Sequence, residues 1–243
     1  MKPVEKWTKR LRFIKISKYI IIICFFLSIA IIGLTYYGSN TGNFLITIEG
    51  QSVKNLSLSE TLENFRLNES GSARLFAQGM SNLTHATLNQ HVPPDIDQIG
   101  EGSHNDIPKY FAYTFYLKNV SSVAVSYRAQ LVIREVSKVQ LESGHKIGVD
   151  SAIRVMAIRN GEREIYAKPQ EFENIGQPET NGGEYESVNF FSDTIVFDFE
   201  VEAFEPLDID KYTIVIWLEG YDDQCIDEIK GGKLKMELRF FTL

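Results

Sequence analysis

Cysteine is scarce in this chain. Only two occur in 243 residues: Cys24 lies inside an apolar run, and Cys225 stands alone near the C-terminus. Cys225 is left as a free thiol or an intermolecular partner, and stability must come from core burial rather than staples. Reaction motifs are missing as well. The sequence contains no His-Glu-x-x-His, Gly-x-Ser-x-Gly, Walker loop or dinucleotide fingerprint, which removes the commonest metalloprotease, serine hydrolase and nucleotide-binding arrangements. No Pro-rich or Gly/Ser-rich linker interrupts residues 39–243, so that stretch reads as one domain.

Basic residues are also scarce, but only after the N-terminus. The first eighteen residues, MKPVEKWTKRLRFIKISK, hold seven Lys and Arg against Glu5. Residues 39–243 then carry 18 basic against 31 acidic side chains, a formal −13. Such a surface repels nucleic acid and anionic headgroups, so no nucleic-acid partner is expected. Between the two lies YIIIICFFLSIAIIGLTYYG, residues 19–38, with no charge. At 1.5 Å per residue it spans about 30 Å, the thickness of a bilayer core.

The expected organisation is therefore a basic cytoplasmic tail (1–18), a transmembrane signal-anchor helix (19–38) and an extracellular domain (39–243). The cationic flank places the N-terminus in the cytoplasm and the C-terminal domain outside a cell membrane crossed once. A cleaved signal peptide, giving a secreted protein, is the alternative topology. Its only small-residue site is Ser28-Ile29-Ala30, and cleavage there leaves the apolar IIGLTYYG at the new N-terminus.

Residues 39–243 read as short alternating runs divided by turns. NFLITIEG is a first strand and SARLFAQG another, with a short helix placed in the polar LSLSETLENFRLNESG between them. Phe111, Tyr113, Phe115 and Leu117 share one face, as do Val123, Val125, Tyr127, Ala129, Leu131 and Ile133, the period of half-buried strands. The NVSS between them predicts a hairpin. Asn160-Gly161 between extended halves predicts a second, of type I′. In DTIVFDFEVEAF, Ile195, Phe197, Phe199 and Val201 face in, with Val196, Asp198, Glu200 and Glu202 out. In KLKMELRFF, Leu234, Met236, Leu238 and Phe240 face in, and the charged Lys233, Lys235, Glu237 and Arg239 suit a strand lying at a sheet edge. The nearly uncharged first strand is expected inside the sheet, beside a strand from the C-terminal half. The fold class is all-β: an antiparallel two-layer β-sandwich, jelly-roll or immunoglobulin-like, preceded by one transmembrane helix.

Two polar stretches are candidate sites. After Tyr212–Leu218 the chain gathers Glu219, Asp222, Asp223, Asp227 and Glu228 around Cys225. Carboxylate oxygens of this kind can hold calcium, but no Asp-x-Asp-x-Asp-Gly loop follows. The competing reading is a strand, an Asp-capped turn and a Gly231-Gly232 stop before the last strand. Trp217 is expected to pack. Thr84–Asp106 holds His85, His91, Asp95, Asp97, His104 and Asp106, the residue types of a zinc or calcium site, within a Pro- and Gly-marked loop. Cys225 beside acids should have a raised thiol pKa, the wrong direction for a nucleophile. No catalytic residue and no cofactor follow from these patterns, with calcium as the one alternative ligand.

FAYTFYLKNVSSVAVSY, together with EPLDIDKYTIVIWLEGYDDQCIDEIKGGKLKMELRF, resembles uncharacterised membrane-anchored exported β-sandwich proteins of Gram-positive bacteria. The resemblance covers most of residues 73–243. It is distantly similar to the TasA/camelysin class of secreted β-sandwich proteins, which implies a surface or biofilm-matrix role. The expected function is thus a non-enzymatic structural or interaction role in the cell envelope or matrix, with envelope proteins, matrix proteins or a second copy as partners. A secreted metal-dependent hydrolase or protease, or a calcium-binding surface module, is the alternative.

Overall fold

The computed structural model describes residues 21, 23–29, 31, 44–67, 71–77, 79–80, 82–106, 108–169 and 185–243. The chain divides into two units, Met1–Thr41 and Gly42–Leu243. In the first, the described residues are helical and exposed. Among the described residues no helix is long and apolar enough to cross a membrane; most of the span expected at 19–38, and all of the tail 1–18, lie outside them.

The second unit is built of strands. In chain order they are β1 (Phe44–Ile48), β2 (Leu56–Ser59), β3 (Arg74–Ala77), β4 (His85–Ala86), β5 (Gly102–Ser103), β6 (Tyr110–Asn119), β7 (Val125–Val136), β8 (Lys138–Gln140), β9 (Lys146–Gly148), β10 (Ile153–Arg159), β11 (Glu162–Ala167), β12 (Val188–Asn189), β13 (Ile195–Phe204), β14 (Ile209–Glu219) and β15 (Leu234–Thr242). One sheet has the order β13-β7-β15-β1-β3 and the other β12-β11-β10-β14-β6-β2, while β8 and β9 form a separate ribbon. The inner faces of the two large sheets interdigitate in one core. It includes Phe44, Ile46, Phe115, Tyr127, Leu131, Tyr212, Ile214, Leu238 and Phe240, stapled by edge-to-face rings such as Phe115–Phe240 and Tyr127–Phe204.

The alternating faces of β6, β7 and β15 supply the inward residues read from the sequence except Val123, which precedes β7 and is exposed, and the predicted β6–β7 hairpin does not form. β6 lies in one sheet and β7 in the other; the NVSS turn crosses the sandwich. Asn119 fixes that crossing, its Nδ2 donating to the carbonyls of Val123 and Phe204. The Asn160-Gly161 hairpin does form. Arg159 faces Glu162 and the turn residues have φ of 52° and 91°, the two positive angles a type I′ turn needs. Val196 was expected outside yet is fully buried, because a bulge between Ile195 and Phe197 breaks the alternation.

The sheets are not purely antiparallel. β1 pairs with β15 in parallel, as do β11 with β12 and β4 with β14. Nor is the last strand an edge: β15 lies between β7 and β1. The charges on its outer face meet neighbours, Glu237 lying 3.0 Å from Arg134 and Lys235 2.7 Å from Glu135. Two layers are also not the whole structure. The segment 84–106 folds over the outer face of the larger sheet and makes a second core from Ala86, Val92, Ile96, Tyr110, Ala112, Met156, Ile158, Val215 and Trp217.

β1 sits as expected, inside a sheet and beside a C-terminal strand. Phe44, Ile46 and Ile48 are all buried, each contributing about 1.5–3 kcal/mol. Their sum approaches the whole stability of an ordinary domain, about 5–15 kcal/mol. A chain starting at Gln51 should therefore unfold at a much lower temperature than one starting at Ser39, or sediment as an oligomer that fills the gap between β3 and β15. Two monomers of equal thermal midpoint would contradict this packing.

Candidate functional site

The acidic turn after β14 buries several polar side chains, Glu219, Asp222 and Gln224. β14 runs inward-facing Tyr212, Ile214 and Ile216 against the main core and Val215 and Trp217 against the second, so the strand reaches its end without a solvent face. Glu219 is fully buried there. Its carboxylate accepts the Trp217 indole N–H at 2.9 Å, the Tyr185 hydroxyl and the Tyr221 amide. Asp222 is buried too and lies 2.8 Å from Arg154, a guanidinium with no exposed surface on the neighbouring β10. The other Asp222 oxygen accepts the Gln224 amide at 2.7 Å, closing an Asx turn. A short turn at Asp227–Ile229 follows, and Gly231 with φ of 74° ends it.

Of the calcium candidates, Glu219 and Asp222 are thus committed to internal donors. Asp227 is exposed and paired with Lys230 at 2.7 Å, while Asp223 and Glu228 are exposed. The five are not drawn into one coordination sphere. The same holds for the other stretch. His91 Nδ1 accepts the Thr87 amide at 3.1 Å, His104 Nδ1 lies 3.1 Å from the Gly102 carbonyl, and the His85 ring lies against Gly220. Asp95, Asp97 and Asp106 use their backbone carbonyls on Gln98, Lys211 and Lys109. Among the described residues no group of three or more His, Cys, Asp or Glu side chains is placed to hold a metal. The metal-hydrolase reading therefore has no ligand set in these stretches.

A second buried pair lies at the same end of the larger sheet, Lys168 to Asp150 at 2.9 Å. Sequence reasoning missed Arg154, Lys168 and Asp150. The signal was present in AIRVMAIR, where Arg154 is a charge in a strand apolar on both faces; a buried charge requires a partner.

Burial raises the Asp222 pKa, with Arg154 and the Gln224 amide pulling it back. A raised value in the fold means that this group favours folding most at acid pH, and that its contribution fades as pH rises through the folded value. Burial, then Asp222 and Glu219, raise the Cys225 thiol, so it is a poor nucleophile, as expected. These groups form a fixed set of hydrogen bonds that shapes the 219–232 turn.

No protein-family model matches the chain, and no curated protein does. Among solved structures, the glucose complex of the beta-glucosidase from Kluyveromyces marxianus aligns at TM-score 0.25 and 11% identity, over 77% of this chain and 16% of that one. The selenomethionine-labelled form of that enzyme aligns at 0.23 and 9%, over 75% and 16%. The chain therefore spans only a small part of that enzyme, and at these TM-scores the likeness carries no argument.

Removing one partner of a buried ion pair leaves the other uncompensated, at about 3–5 kcal/mol. Arg154→Met should lower stability by that order in denaturant unfolding, and the double variant Arg154→Met/Asp222→Asn should recover much of it. A double variant no better than the single would show that the pair is not coupled.

Tyrosines supply a second prediction. The hydroxyls of Tyr113, Tyr116, Tyr127, Tyr166 and Tyr185 donate to Glu60, Glu101, Asp210, Glu164 and Glu219. Burial first, and then these carboxylates, raise the pKa of Tyr113, Tyr166 and Tyr185 well above the usual phenol value. Tyr116 is pushed up to about 12 in the same way. Unfolded tyrosines ionise near 10, so the stability held by these groups is complete below that pH and is lost as pH climbs through the folded values. Thermal midpoints should drop steeply from about pH 10 upward, with tyrosinate absorbance appearing together with unfolding. Free titration of all tyrosines in a chain that stays folded would contradict it.

Proposed function

We propose that this is a membrane-anchored cell-surface protein with a non-enzymatic structural or interaction role in the cell envelope or matrix. The observation that carries the reading is the N-terminal sequence, in which a +6 tail is followed by twenty uncharged residues and then by a domain of net −13. That order places the tail inside, the apolar run in the bilayer and the acidic domain outside. The fate of the buried carboxylates after β14 is consistent with it: Glu219 and Asp222 are bonded to internal donors.

The sheet order supports a jelly roll over an immunoglobulin-like sandwich. The chain crosses between sheets from β6 to β7, returns for β10, β11 and β12, and then alternates through β13, β14 and β15, placing β13-β7-β15 in one sheet and β11-β10-β14-β6 in the other, crossings of the kind a Greek-key jelly roll makes. β1 is then an insertion between β15 and β3, parallel to the first and antiparallel to the second. This insertion favours a second copy as a partner, since a strand entering from the N-terminal linker can in principle be supplied by a neighbour.

Protease added to intact cells stripped of their wall should remove the C-terminal domain and spare the basic tail, detected with tags at the two ends. Protection of the C-terminal tag would reverse the topology. Release of the whole domain into the medium without protease would replace the anchor by a cleaved signal.

A further inference from the structure

Asn160 and Gly161 form the exposed tip between β10 and β11. The Asn160 carboxamide reaches across to β14. Its Nδ2 donates to Asp210 Oδ1 at 2.6 Å, and its Oδ1 accepts the Lys211 amide at 2.8 Å. Asp210 is buried. Its other oxygen accepts the Tyr127 hydroxyl, which lies 2.6 Å from the Tyr212 hydroxyl. Tyr127 belongs to one sheet and Asp210 and Tyr212 to the other, so this group of side chains is a polar clasp between them. Asparagine followed by glycine is the most labile form of that residue, because no side chain shields the glycine nitrogen from the carboxamide carbon.

We propose that Asn160 is a modification site, a deamidation position whose products open this clasp. The Gly161 nitrogen bonds to Asn160 Cγ, and Nδ2 leaves as ammonia carrying the proton from that nitrogen. Water then opens the cyclic imide at either carbonyl, giving aspartate or isoaspartate; no oxidant or reductant takes part. Aspartate puts a carboxylate oxygen where an N–H donor stood, 2.6 Å from Asp210 Oδ1, and two carboxylates so close cannot both ionise. The groups facing Asp210 are Tyr127, Tyr212 and Arg159. Of these only Arg159 is cationic, and it balances one carboxylate. Isoaspartate lengthens the backbone of a two-residue turn and breaks its register. In the closed clasp both ends of the carboxamide are engaged on β14, so conversion is gated by its opening.

The test follows deamidation of the full chain in detergent by peptide mass spectrometry, beside a synthetic peptide of residues 158–165 in the same buffer. The peptide should convert about tenfold faster or more than the folded chain, and Tyr127→Phe should speed conversion in the folded chain. Asn160→Asp should raise the unfolding equilibrium constant at neutral pH by about tenfold or more, and the gap should narrow in acid as the carboxyl introduced at position 160 takes up a proton. Asn160→Ser, which removes the donor to Asp210 but adds no charge, should show a smaller gap that changes less with pH. If Asn160→Asp does not fold, the aged and fractionated wild-type chain gives the same comparison. Equal rates in peptide and folded chain, or an aspartate at position 160 that costs nothing or costs the same at both pH values, would overturn the proposal.

Discussion

β14 has no side open to water, and most of the domain is organised around that constraint. A strand buried on both faces must be apolar on both, and Tyr212-Thr-Ile-Val-Ile-Trp217 meets the requirement. One face joins the core between the sheets and the other requires a cover, which the segment 84–106 provides. Apart from Thr213, whose hydroxyl is hydrogen-bonded to that of Thr114, the buried polar groups lie at the two ends of the strand. At its start Asp210 and Tyr212 meet Tyr127 and Asn160; at its end Glu219 and Asp222 meet Trp217, Tyr185 and Arg154. The two polar networks are where a doubly buried strand ties its ends to its neighbours.

This explains how an acidic domain without a disulfide can use its surplus carboxylates. A buried carboxylate is costly unless it receives several donors. Tyrosine answers that need, because it carries a hydroxyl on a large apolar ring and packs in the core while reaching an acid at the rim. Tyr185, which stacks edge-on to Trp217 and donates to Glu219, is an example. The hydrogen bonds are directional, so they fix which strand end meets which turn, a task the apolar contacts alone leave open.

Much of this was legible in the sequence. Period-two patterns located β6, β7, β10, β11, β13, β14 and β15, and Asn160-Gly161 located a turn and its type, because those signals are local. The glycine stop at Gly231 was legible for the same reason, while the Asp expected to cap a helical turn closes an Asx turn on Gln224 instead, the turn Asp227–Ile229 having Ile226 at its N-cap without a side-chain bond. Sheet membership was not. A short connection such as that between Asn119 and Val125 can join two strands of one sheet or cross between sheets, and what decides here is the buried Asn119 side chain bonding to Phe204, 85 positions away. The partners of Arg154 and Glu219 were likewise hidden, since their pairing depends on strand register. Proximity in sequence gathered the carboxylates after β14, but Glu219 and Asp222 are bonded to internal donors while Asp223, Asp227 and Glu228 are exposed.

The two cores differ in how they are held. Between the sheets, long ladders flank the apolar contacts on every side, and β15 alone is paired along its length with β7 and β1. The outer core is closed by pieces with little secondary structure of their own, the two-residue strands β4 and β5 and the turn Leu88–His91. Its fastening relies on long cationic side chains that bond backbone carbonyls of the cover, Lys211 to Asp97 and Arg163 to Pro94. A lysine or arginine can do this with its aliphatic stem lying on the sheet. The cover therefore binds to the strands through these side chains and through only two-residue pairings, β4 with β14 and β5 with β6, rather than through long ladders, so local opening starts more easily there than between the sheets. Because Lys211 follows Asp210 on the same strand, the cover and the inter-sheet clasp are anchored by adjacent residues of β14.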